Sequence, residues 1–206
     1  MTKGPGRLGI LISGRGSNML AIADACANGR INAHVALVVS DTASAPGIAA
    51  AAERGIPTRV IAGKQSRTRE EHDLKVAAAL KEHNAGLVCL AGYMKLLTPA
   101  FIREFSGRIM NVHPALLPAF PGLHAQRQAL AHGVRIAGAT VHFVDEGLDT
   151  GPIILQATVP VEPDDTEETL SARIIKEEHR IYPEAIGLYF ANRLRIEGRH
   201  VRITGR

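Results

Sequence analysis

From residue 8 to residue 112 the chain alternates short apolar-rich runs with longer segments whose apolar residues recur at helical spacing. The runs lie at 8–12, 35–39, 57–61, 87–91 and 108–112, and the helical patterns at 18–28, 46–54, 68–83 and 98–105. Strands that read as nearly continuous apolar runs belong to sheets covered on both faces. Strands separated by helices need crossover connections and therefore pair in parallel. After residue 113 the pattern changes. A proline-rich stretch, "HPALLPAFPGLH", leads to a short helix near 125–132 and to two long strands near 136–144 and 152–161. A helix over about 167–192 follows, which Pro183 should interrupt or kink. The tail "RLRIEGRHVRITGR" reads as an exposed hairpin around Glu197 and Gly198. The expected class is α/β: a mainly parallel twisted sheet with helices on both faces, Rossmann-like, with antiparallel strands toward the C-terminal half. One domain is expected over residues 1–206, with 1–7 and 198–206 peripheral.

The first of these strand-to-helix transitions, "LGILISGRGSNMLAIADA" (8–25), carries two glycines in its turn. Asn18 or Ser17 is the expected N-cap, with Leu20, Ile22 and Ala25 on one helix face. Backbone N–H groups converge at such a turn and the helix dipole favours negative charge, so an anion, phosphate first, is the expected ligand. The dinucleotide fingerprint G-x-G-x-x-G is incomplete, because its third glycine falls on Met19. Asp41 could still imitate the ribose-binding acid, which keeps a dinucleotide reading open. The P-loop pattern is absent, since no Gly-Lys-Ser/Thr follows.

Composition narrows the partners. With 46% hydrophobic and 21% charged residues the chain is ordinary for a globular protein. A net charge of +4 favours anionic ligands only weakly. Basic residues are dispersed apart from the tail, and aromatics at 4% leave few platforms for stacking bases, so nucleic acid is not expected as a partner. Cys26 and Cys89 are far apart without a CxxC pattern and read as buried free thiols of a reducing compartment. No stretch approaches the ~20 apolar residues of a membrane span. A cytoplasmic location is expected.

The segment "RIMNVHPALLPAFPGLHAQRQAL" (108–130) is chemically the most informative. Asn111 and His113 are two apart on a strand and so share a face, with Val112 on the other. An amide and an imidazole side by side could grip and protonate a developing oxyanion, although both residue types also favour turns. In "GATVHFVDEGLDTGPII" (138–154), Thr140 and His142 form the polar face of a strand that ends in a loop with Asp145, Glu146 and Asp149. Such a loop is usually solvated, yet one of its acids meeting His113 would tune a catalytic imidazole. Neither cysteine neighbours a histidine, and no G-x-S-x-G elbow or clustered metal-ligand spacing occurs among the nine histidines. Direct transfer between two bound molecules remains, with no metal expected.

Five segments in order, "SGRGSN" (13–18), "AGYMKLLTPAF" (91–101), "NVHPALLPAFPGLH" (111–124), "GATVHFVDEGLDTGP" (138–152) and "EEHRIYP" (177–183), together resemble the phosphoribosylglycinamide formyltransferase family. The resemblance runs from about residue 8 to 196 and implies the formyltransferase fold. It further implies passage of a formyl group from 10-formyltetrahydrofolate, as cosubstrate, to the amine of glycinamide ribonucleotide in purine synthesis. Gly16, Ser17 and Asn18 would cradle the ribonucleotide phosphate, and Glu178 would lie near its amine. Asn111 and His113 would serve the transfer, and Asp149 would raise the His113 pKa and hold a proton-accepting water. Met94, Lys95, Leu96 and Leu97, with Asn111 and the loop Asp145, Glu146, Gly147, Leu148 and Asp149, would hold the pterin, mostly through backbone groups. Arg69 would stand near the benzoyl-glutamate end. The expected partners are therefore small molecules, with no membrane and with a homodimer left open. Arg15 and residues 64–68 receive no role, and Ile175, one turn before Glu178, is apolar where a polar contact would have helped.

The competing readings are a formyltetrahydrofolate deformylase, a nicotinamide-dinucleotide dehydrogenase using Gly14, Gly16 and Asp41, and a non-catalytic nucleotide-binding module. A methionyl-tRNA formyltransferase would carry an additional C-terminal RNA-binding domain, for which ten residues after Ile196 leave no room.

Overall fold

The computed structural model describes residues 4–205. Its contacts separate two compact units, the first ending at Met110 and the second beginning at Asn111. Residues 1–3 and 206, parts of the expected peripheral ends, lie outside the described residues.

The first unit is built from β1 (Gly6–Ile12), α1 (Ser17–Ala27), β2 (Ala33–Ser40), α2 (Pro46–Glu53), β3 (Thr58–Val60), a 3₁₀ turn (Gly63–Gln65), α3 (Arg69–Glu82), β4 (Leu87–Leu90) and α4 (Pro99–Glu104). It also holds the first residues of β5 (Ile109–His113). Its strands run parallel in the order β3-β2-β1-β4, with Leu8 opposite Val35 on one side and Leu87 on the other. Gly9 makes this packing possible. A Cβ there would stand 2.3 Å from Leu80 Cδ2, so any larger residue would force Leu80 of α3 to shift. Leu8, Ile10, Leu11, Ile12, Leu87 and Val88 are fully buried, and Phe101 of α4 meets Phe105 at its C-terminal end with ring centroids 5.2 Å apart and planes tilted by 37°. The chain order reverses between β1 and β4, because β2 and β4 flank β1 on opposite sides. Ligands of open α/β sheets sit beyond the carboxyl ends of the strands at such a point. Here that means the loops 13–16 and 91–98.

The second unit contains the end of β5, α5 (Ala125–Ala131), β6 (Ile136–Phe143), β7 (Ile153–Pro160), α6 (Glu167–Phe190), β8 (Leu194–Glu197) and β9 (His200–Ile203). β6 and β7 are antiparallel with Ala139 opposite Ala157, and β8 and β9 form the expected terminal hairpin. α6 packs its buried Leu170, Ile174, Ile181, Tyr182 and Ile186 over β6 and β7. A Thr166–Thr169 capping box starts this helix, and Asp165 grips Arg173 at 2.7 and 2.9 Å. Of the two expected effects of Pro183, interruption does not occur: α6 is continuous from Glu167 to Phe190. Pro183 is itself buried, so packing of the apolar face offsets the lost N–H bond.

The mixed α/β class holds as expected, parallel in the first half and antiparallel in the second. Among the described residues no helix is long and apolar enough to cross a membrane.

Candidate active site

In the first unit, β1 leaves the sheet at Ser13 and re-enters order at α1 through Gly16, whose φ of 73° is left-handed. The N-cap is therefore Gly16, not Ser17 or Asn18 as expected, and Ser17 and Asn18 are the first two helical residues. The reason is steric. A Cβ on Gly16 would lie 3.1 Å from Gly47 Cα, and one on Gly47 would lie 3.0 Å from the Gly14 carbonyl oxygen. Two backbones touch there, with Gly47 N–H donating to Gly14 O at 3.1 Å. Gly16 has no side chain with which to cap α1, and a helix N-terminus of this kind favours an anion. The buried helix face also differs from expectation: Asn18, Met19, Ile22, Ala23 and Ala25 are buried, while Leu20 is only half-buried. Gly47 was not foreseen, since a glycine inside an alanine-rich helix gives no sign of a distant backbone contact.

Beside this loop, Ser13 Oγ accepts from Met94 N–H at 2.9 Å, and the Arg69 guanidinium donates to the Leu96 carbonyl. Two backbone groups of the 94–97 segment are thus engaged by protein. Two of its side chains point outward: Met94 is 68% and Leu96 57% exposed. Large apolar side chains held outward at a strand's carboxyl end suit the face of a flat ligand. Lys95 Nζ lies 3.6 Å from Asp41, the residue that a dinucleotide would have required for its ribose.

The second unit brings Asn111, His113 and Asp149 together. His113 is 4% exposed, and its Nε2–H donates to the Phe120 carbonyl at 2.8 Å while Nδ1 lies 3.4 Å from Asp149 Oδ2. Asp149, itself at φ 54°, also accepts from Gly122 N–H at 2.8 Å. The 120–122 loop therefore holds both members of the pair. Behind it, buried Thr140 donates to the Ala115 carbonyl at 2.7 Å and accepts from Leu117 N–H at 3.0 Å, fixing the chain just after His113.

His142 was read only as part of a polar strand face. That face is not solvated: Thr140 is 0% and His142 2% exposed. His142 Nδ1–H donates to the Phe143 carbonyl at 2.8 Å, which leaves Nε2 to accept from Asn111 Nδ2 at 3.3 Å. Burial pushes the His142 pKa down, against opposing pulls from the Phe143 carbonyl and the Asp149 carboxylate, so the ring is held in the neutral form this bond needs. His142 thus sets the orientation of the Asn111 amide. The signal in the sequence was a histidine two residues from Thr140 on one strand face, which by pattern alone looks like ordinary surface.

The rest of the acidic loop is divided. Asp145 accepts from Gly147 N–H at 3.1 Å and Thr150 Oγ1 at 2.7 Å and so folds the loop itself, Glu146 is exposed, and Leu148 is 49% exposed. Glu178 is 7% exposed on α6. Among the described residues no group of three or more His, Cys, Asp or Glu side chains is placed to hold a metal ion.

A strand-end Asn-x-His with its carboxylate, in a mixed α/β chain, defines a class, and sequence comparison names it: residues 6–186 match the Formyl transferase family, and the chain belongs to it. The phosphoribosylglycinamide formyltransferase of Escherichia coli (strain K12) is 43% identical over 187 residues, covering 91% of this chain and 88% of that protein. The trifunctional purine biosynthetic protein adenosine-3 of Drosophila melanogaster is 47% identical over 88% of this chain, which spans only 14% of that protein's length. A crystal structure of glycinamide ribonucleotide transformylase 1 from Symbiobacterium toebii superposes with a TM-score of 0.98 at 52% identity, covering 99% of this chain and 96% of that one. A formyltetrahydrofolate deformylase from Pseudomonas syringae shares the fold at 24% identity.

Proposed function

We propose that the protein transfers a formyl group from 10-formyltetrahydrofolate to the amine of glycinamide ribonucleotide. The observation that carries this reading is Asn111, oriented by neutral His142, next to a His113 held between Asp149 and the 120–122 loop. The names of the Escherichia coli and Symbiobacterium relatives support the choice of substrates.

The folate, when bound, supplies the formyl carbon that the amine attacks. As its carbonyl oxygen gains charge, Asn111 donates the amide hydrogen that His142 does not use. His113 donates from a ring N–H, exchanging the Phe120 carbonyl for the substrate oxygen. Donors aimed at a developing oxyanion contribute roughly 2.7–4 kcal/mol each. Asp149 holds the imidazole from the other side and, through a water, takes the proton that the amine must lose. The tetrahedral adduct then collapses: the carbonyl re-forms, the C–N bond to the folate breaks, and the departing folate nitrogen receives that proton, giving tetrahydrofolate and the formylated amine. The α1 terminus at Gly16, Ser17 and Asn18 receives the ribonucleotide phosphate, with Glu178 on the amine side. Met94 to Leu97 and the 145–149 loop receive the pterin, and Arg69 the glutamate end. Orientation of the two substrates supplies much of the remaining acceleration.

The test is folate turnover with and without the ribonucleotide. The reading requires tetrahydrofolate to form only when glycinamide ribonucleotide is present. Equal turnover in its absence would indicate hydrolysis and replace the reading by a deformylase.

A further inference from the structure

In the first unit, α3 buries an ionisable pair that the mechanism does not use. His72 is 2% and Asp73 1% exposed. The His72 Nε2–H donates to the Ile61 carbonyl at 2.8 Å, and its Nδ1 lies 3.1 Å from Asp73 Oδ1. The second oxygen, Asp73 Oδ2, accepts from the backbone N–H of Thr98 at 2.7 Å. A carboxylate removed from water is costly unless each oxygen is satisfied, so the bond to Thr98 is not incidental to the fold. Thr98 is the residue at which the 94–97 segment ends and α4 begins.

Taken with the bonds already described, the segment is fastened at three points: Met94 N–H on Ser13, the Leu96 carbonyl on Arg69, and Thr98 N–H on Asp73. Two of the three anchors come from α3, one turn apart. Two of the segment's large side chains, Met94 and Leu96, point outward and so add little burial to hold it. We propose that the His72–Asp73 pair positions the 94–97 segment for the formyl donor, Asp73 acting on Thr98 N–H and His72 holding Asp73 against Ile61. The inference rests on the reading of that segment as the folate site. Asp73 and His72 are positioning residues: their loss changes how well the folate is held, not the transfer itself.

The experiment measures kcat and both KM values in the full chain for Asp73→Leu, Asp73→Asn and Thr98→Pro. Thr98→Pro removes the N–H, at a φ of −75° that suits proline, together with a hydroxyl that has no hydrogen-bond partner among the described residues. Asp73→Leu and Thr98→Pro should raise the KM for 10-formyltetrahydrofolate by roughly ten-fold, as expected for one buried hydrogen bond. The KM for the ribonucleotide and kcat should stay within about two-fold on the same scale. Asp73→Asn should restore the folate KM, because its amide oxygen still accepts from Thr98 and its N–H can meet His72 Nδ1. If Asp73→Leu does not fold, Thr98→Pro decides alone. An unchanged folate KM in a folded variant, or an equal loss in both substrates without rescue by Asp73→Asn, overturns the inference. A wild-type protein that transfers no formyl group from the folate overturns the functional reading instead, and the inference with it.

Discussion

His113 is held on both sides, by the Phe120 carbonyl and the Asp149 carboxylate, and its removal should be felt in the chemical step alone. His113→Ala is expected to lower kcat by roughly 10²-fold or more, the scale of a positioned acid–base group, with both KM values little changed. Near-normal turnover in a folded variant would remove His113 from the mechanism. Gly16 makes the opposite kind of contribution. Gly16→Val places a branched side chain at φ 73° and within 3.1 Å of Gly47, so the α1 terminus must shift. The KM for the ribonucleotide should rise while folate affinity persists, which titration with a folate analogue would check. Equal loss of both ligands would contradict the phosphate assignment. His142 and His179 both have pKa values lowered from 6.5 by burial. The unfolded chain therefore binds more protons than the folded one once pH drops below about 6.5. Their contribution to stability is whole above that value and declines on acidification toward the folded-state values. Thermal midpoints measured at pH 7.5 and 5.5 should fall toward acid, and an unchanged midpoint would contradict neutral burial of these rings.

At the level of elements, α6 depends on its first turn. Thr166 accepts from Thr169 N–H, and Arg173 holds the Asp165 carboxyl well below the usual carboxylate range. Thr166→Ala should cost about 1 kcal/mol, or about 2–4 °C in Tm for a chain of this size, read by circular dichroism. No change would mean that packing of the buried face alone sets the helix start. The same helix shows where pattern reading stops. Its apolar period foretold its extent to within two residues, because burial of one face imposes that period. Pro183 does not interrupt it: sequence weighs the lost N–H but not the packing that offsets it. The parallel strands of the first unit were legible for the same reason as α6: Leu8 to Ile12 and Leu87 to Leu90 are apolar because they are buried. The start of α1 was not, since the left-handed turn at Gly16 answers to Gly47, some thirty residues away in sequence.

Across the molecule, the groups that would do the chemistry were easier to foresee than the groups that hold them. Asn111 and His113 share a strand face by their spacing, and the acidic loop drew attention by composition. That Asp149 rather than Asp145 meets His113 follows from loop geometry, with Asp145 spent on Gly147 and Thr150. His142, Thr140, Gly47 and the His72–Asp73 pair carry no short motif, and each acquires its role only through a contact distant in sequence. The central claim is direct transfer between two substrates, and the fate of the formyl carbon tests it. The protein would be given 10-formyltetrahydrofolate labelled with ¹³C in the formyl group, together with glycinamide ribonucleotide, and the products followed by NMR. The account requires the label to appear in the new amide of the ribonucleotide in step with tetrahydrofolate, with no labelled formate. Label released as formate, or tetrahydrofolate formed without labelled amide, would contradict it.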